Sequence, residues 1–242
     1  MPSRSPLSGA AGLASPRLRT LAARRISPAP SPEPEERCEL CGTPLPGAHR
    51  HLADLDTQQL LCACRACALL FDRRGAGGGH LRLVPDRRVR LDRFELSAAA
   101  WDELRIPVDM AFFFRSSRAG RVLAFYPSPM GATESRLELA SWSELERSNP
   151  ILQTMEDDVE ALLVDRARGS DRQWLVPIDD CYRLVALIRT GWRGFTGGTE
   201  VWTAIESFFD ELDRRARPQD AQPLKARRPD GQAEAGRVSS QP

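Results

Sequence analysis

The sequence predicts an α+β protein in which a small cysteine-rich module precedes an antiparallel-sheet α+β domain, with disordered ends. Three observations carry this reading. Five of the six cysteines and two of the three histidines fall within Arg37–Phe71, RCELCGTPLPGAHRHLADLDTQQLLCACRACALLF. Beyond them, short apolar runs alternate with turn residues, the pattern of strands joined by hairpins. Near the end, TEVWTAIESFFDELDRR places Val201, Trp202, Ile205, Phe208, Phe209 and Leu212 on one helical face, a stripe suited to covering a sheet.

Composition sets the boundaries. Residues 1–36 hold five arginines, no acid before Glu33 and four prolines from Pro28 to Pro34, so they read as a disordered arm. Transit peptides share this Arg- and Ser-rich, acid-poor character, but the apolar core of a secretory signal is missing. Residues 37–72 are the cysteine module, RRGAGGGH (73–80) is a flexible joint, 81–216 the α+β domain, and 217–242 a polar, disordered tail. No apolar run approaches the ~18 residues of a membrane span. Nothing marks a secreted chain, so a cytoplasmic protein with reduced thiols is expected. Lys+Arg is 34 against Asp+Glu 33, and Lys225 is the single lysine. That balance argues against nucleic acid or an acidic membrane surface as partner. It also makes arginine the default cation here rather than a phosphate signal.

The elements of the main domain follow in order. HLRLVP and RVRLDRFEL alternate apolar and polar residues about PDRR, predicting a hairpin. Ser97 caps a short helix, SAAAWDELR. VDMAFFFRSSRAGRVLAFYPSP reads as two strands about SRAG, and SRLEL as a further strand. Ser141 with Glu144 forms a capping box, and Asn149-Pro150 opens a helix reaching Asp158. VEALLVDRA and QWLVPI flank RGSDR as a third hairpin. Asp179 and Asp180 start the helix DDCYRLVALIRTGW, which Gly191 stops.

The cysteine spacing is the strongest chemical signal. Cys38-x2-Cys41-Gly42 and Cys64-x2-Cys67 are paired knuckles with 22 residues between them. Two thiolates two residues apart grip one ion while amides of the turn donate to the sulfurs. Four sulfurs in a closed tetrahedron suit structural zinc, and LADLDTQQLLCA suits a two-stranded ribbon between the knuckles, so the module reads as zinc-ribbon-like. Iron is the alternative, as a rubredoxin-type centre or as a cluster that also uses Cys62. Cys62, His49 and His51 are surplus soft donors, read as alternative ligands or as groups that hydrogen-bond the ligands from behind; a spare thiol also permits ligand exchange in metal transfer. Disulfides are disfavoured because the pairs have metal spacing. A catalytic zinc is disfavoured because four sulfurs leave no position for water.

Other constellations are weaker. GWRGFTGGTEVW sets glycines before a helix, so Arg193, Gly197, Gly198 and Thr199 form a candidate anion site, although the phosphate-loop ending is absent. Asp179 and Asp180 satisfy a helix N-terminus, and Cys181 among apolar neighbours reads as buried and inert. Those three residues beside the glycine-rich loop are nonetheless the set a small enzyme would use. MEDDVE clusters acids on what reads as a wet helix face.

Two stretches, RCELCGTPLPGAHRHLADLDTQQLLCACRACALLF and WLVPIDDCYRLVALIRTGWRGFTGG, resemble an uncharacterised actinobacterial family whose genes lie among those for nickel–iron uptake hydrogenases. The resemblance covers about residues 37–216. It implies an accessory role in assembling, loading or holding a hydrogenase, with a hydrogenase subunit or maturation factor as protein partner. The sequence therefore points to a zinc-binding accessory protein, more a non-enzyme than an enzyme. Its alternatives are the small enzyme above and a regulatory zinc module.

Overall fold

Two β-sheets organise the described residues, 35–72, 79–136 and 139–221, of a computed structural model. The smaller is antiparallel, with β1 (Arg50–Asp54) paired to β2 (Gln59–Ala63) on one edge and β3 (Leu81–Leu83) on the other. Helix α1 (Arg65–Leu69) follows β2. The larger sheet is built from β4 (Val89–Arg90), β5 (Met110–Ser116), β6 (Arg121–Ser128), β7 (Gly131–Ser135), β8 (Glu160–Asp165), β9 (Arg172–Pro177) and β10 (Arg217–Pro218). Its order is β10-β4-β9-β8-β5-β6-β7, and every pairing is antiparallel except β10 on β4. No helix among the described residues is long and apolar enough to cross a membrane.

The central strands are mostly apolar because both faces of the large sheet are covered. On one face, α4 (Ile178–Gly191) and α5 (Thr199–Arg215) pack over Phe112, Leu163, Trp174 and Val176. On the other, α2 (Ala98–Glu103) and α3 (Leu139–Ser148) bring Trp101, Trp142 and Leu145 onto Phe113, Leu162 and Leu175. Successive strand residues point to opposite faces, so MAFFF feeds both cores: Met110, Phe112 and Phe114 the first, Ala111 and Phe113 the second. The apolar stripe of α5 is core, with Phe209 stacked on Trp174 at 5.1 Å between ring centroids. Trp202, at its margin, is half-buried under the Arg168 guanidinium.

The small sheet has two unlike faces. Leu52, Ala63 and Ala68, all buried, make a separate core. The opposite face, carrying Ala53 and Leu60, packs on the main core. From Glu36 onward the described chain is one compact unit.

The hairpins β5–β6 and β8–β9 and the Ser97 cap form as expected, Ser97 Oγ accepting from Ala100 N at 3.1 Å. The hairpin about PDRR does not. Leu81–Leu83 joins β1, while Val89–Arg90 joins β9. The reason lies in PDRR itself: Arg87 pairs with the buried Glu160 at 2.8 Å and Arg88 with the buried Asp180 at 2.5 Å. Those two ion pairs pin the segment across the main domain instead of letting it turn. The helix expected over 150–158 is a 3₁₀ turn, Pro150–Thr154. Asn149 does not cap it, because its side chain bonds both backbone groups of Glu95. The strand expected at SRLEL lies earlier, as β7, and α3 begins two residues before the expected cap Ser141. The chain expected to be tail from 217 first adds β10 to the sheet. Otherwise residues 1–34 of the arm, 73–78 of the joint and 222–242 of the tail lie outside the described residues.

Candidate metal centre

The first knuckle is a tight turn closed by backbone bonds. Gly42 N donates to Cys38 O at 2.7 Å, and Cys38 N donates to Thr43 O at 2.9 Å. Gly42 takes φ +73°, a conformation that a side chain would strain. The second knuckle is the start of α1: Cys64 is its N-cap, with Sγ accepting from Cys67 N at 3.4 Å. Glu39 stitches the two together, its amide donating to Cys62 O at 2.9 Å and its carboxylate accepting from Cys62 N.

These turns bring Cys38, Cys41, Cys64 and Cys67 into one group, with the ligand atoms within 4.8 Å of one another. Cys41 and Cys64 Sγ are 3.7 Å apart. Two thiolates of a zinc tetrahedron with ~2.3 Å Zn–S bonds would stand about 3.8 Å apart. All six cysteines are free thiols. The electrostatics of the group is compatible with a bound cation. Burial pushes the Cys38 thiol up, but amides from Cys64, Cys41 and Leu40 outweigh it and bring it down to about 6. Contacts with Cys41 and Cys64 push Cys67 up to about 12. Four clustered sulfurs cannot all ionise against one another unless a positive charge sits among them.

His49, His51 and Cys62 form a separate group of their own, its ligand atoms also within 4.8 Å of one another. Cys62 stands directly across the sheet from His51, and the two histidine rings meet edge-on at 4.8 Å. The strand pairing gives His51, Cys62, Ala53 and Leu60 a common face, the one turned toward the main domain. There His51 Nδ1 meets Asp179 Oδ2 at 2.9 Å in the first turn of α4. Burial, then the charges of Glu39 and Glu36, push the Cys62 thiol up. Ala53 and Leu60 also line a cleft of about 300 Å³ that reaches Phe114, Arg118 and Tyr182.

The remaining candidates are dispersed. Asp180 is committed to Arg88, and Cys181 is fully buried, its thiol raised by that burial. The glycines of 194–198 follow the opposite end of α4 from these residues. Arg193 donates to the carbonyls of Thr190 and Trp192, and Gly198 is the N-cap of α5, where Thr199 begins the helix. A Cβ on Gly197 would stand 2.9 Å from Val201 Cγ1 and 3.0 Å from the Trp192 ring, so close packing accounts for that glycine. In MEDDVE, Glu156 and Asp158 pair with Arg82.

Sequence reasoning missed Asp179 as the partner of His51. The two are 128 positions apart, and no local pattern joins them.

No curated protein and no solved structure shows significant similarity to the chain. Residues 37–216, spanning both cysteine knuckles and the large sheet up to the end of α5, match a family of unknown function (DUF5947), and the chain belongs to that family.

Proposed function

We propose that the four thiols Cys38, Cys41, Cys64 and Cys67 hold a structural zinc ion and that the protein serves as an accessory or assembly factor for a multi-subunit metalloenzyme. The observation that carries the metal is the gathering of these four sulfurs from two turns, with the 3.7 Å spacing of Cys41 and Cys64 suited to a tetrahedral ion. A closed four-sulfur set has no position for water, so its work is to fasten the chain. Energetics support this: the face of the small sheet turned toward α1 buries only Leu52, Ala63 and Ala68, and metals complete modules whose cores are small.

The client belongs to the same proposal. The resemblance of the cysteine module and of WLVPIDDCYRLVALIRTGWRGFTGG to the hydrogenase-associated family supports a nickel–iron hydrogenase subunit or maturation factor, in the cytoplasm. Cys181 and Asp180, enclosed as they are, favour a binding role over catalysis. Metal analysis of the purified chain tests the ion, with zinc expected and iron with visible absorbance the contrary result. Co-purification from hydrogenase-expressing cells tests the client. Recovery of the protein without any hydrogenase component contradicts it.

A further inference from the structure

We propose that His49, His51 and Cys62 are a second metal site, distinct from the four-cysteine group, that binds a borderline divalent transition ion such as zinc through two imidazole nitrogens and one thiolate.

His49 Nδ1 lies 3.1 Å from the Pro46 carbonyl, so its N–H donates there and Nε2 carries the lone pair. That Nε2 is buried and has no hydrogen-bond partner, in a side chain only 7% exposed. An orphaned acceptor in such a place needs a donor or an ion. His51 is set the same way. Its Nδ1–H donates to Asp179 Oδ2 at 2.9 Å, so in the neutral ring Nε2 carries the lone pair. A carboxylate behind a metal-binding histidine fixes the tautomer and raises the basicity of the ring. Asp179 Oδ1 is itself buried without a partner. The third donor, Cys62, is placed by strand register directly opposite His51.

The donor set defines the ligand. Imidazole and thiolate together select borderline ions over calcium or magnesium, which want oxygen. Three protein ligands also leave a tetrahedral ion one open position, unlike the closed four-sulfur group. His51 and Cys62 are part-exposed, so an ion can reach them. This site stands whether or not the accessory role proposed above is right.

The test is a zinc titration of the full-length chain. Two equivalents are expected to bind, and two of the three histidines should shift their ring nitrogen resonances with the second. His49→Ala/His51→Ala and, separately, Cys62→Ala should each bind one equivalent. Asp179→Asn should weaken the second equivalent about 10–100-fold and leave the first unchanged. Saturation of the wild-type chain at one equivalent, or a second equivalent that moves no histidine resonance, overturns the proposal. The wild-type readout decides even where a variant fails to fold.

Discussion

His51 in β1 and Asp179 at the start of α4 meet at 2.9 Å across 128 positions of sequence, tying the cysteine segment to the main domain. The same seam holds Arg82 on Asp158, so the small sheet is fastened by polar contacts as well as by Ala53 and Leu60.

The seam predicts what chelation does. Stripping the ion should release Glu36–Phe71 and largely spare the large sheet, whose two cores are built mainly from its own strands and helices. Hydrogen exchange should show lost protection in β1, β2 and α1, with β5, β8 and β9 unchanged.

Acid should strip the ion in two regimes. Metal binding needs thiolates, so affinity falls as protons return. Near neutral pH the competition involves thiols such as Cys67, raised to about 12. Below about 6 Cys38 joins them, and affinity should fall more steeply with each further drop. The slope of zinc affinity against pH checks this, and an unchanged slope through that region contradicts it.

Arg88 and Asp180 are a buried pair at 2.5 Å. Asp180→Ala leaves the guanidinium only the exposed Asp86, 4.0 Å away, and should cost about 3–5 kcal/mol. Replacing both by apolar residues of similar volume should recover much of that in urea unfolding.

Phe209 is fully buried against Trp174 and Phe208. Phe209→Ala should cost about 3–5 kcal/mol, with loss of transfer energy and a residual cavity.

Gly197 and Gly194 differ in a way that separates strain from crowding. Both have positive φ, but only Gly197 faces Val201 and Trp192 within 3.0 Å of a new Cβ. Gly194→Ala should cost about 1–2 kcal/mol from backbone conformation alone, and Gly197→Ala measurably more in thermal unfolding.

Much of this was legible in the sequence because it is local. Helix periodicity from Val201 to Leu212, the Ser97 cap and the RGSDR hairpin are set within a dozen residues. The Cys-x2-Cys spacings likewise placed the four-sulfur group. What was hidden depends on distant partners. PDRR reads as a turn until Glu160 and Asp180 claim its arginines. Cys62 reads as a spare thiol beside Cys64, whereas cross-strand register assigns it to His51. Asn149-Pro150 reads as a helix start, but Glu95 uses the asparagine.

Zinc-edge X-ray absorption of the full-length chain loaded with one equivalent tests the four-sulfur site most directly. Four sulfurs at about 2.3 Å, with no nitrogen or oxygen in the shell, are predicted. A shell of mixed nitrogen and sulfur, or of fewer than four sulfurs, would contradict it.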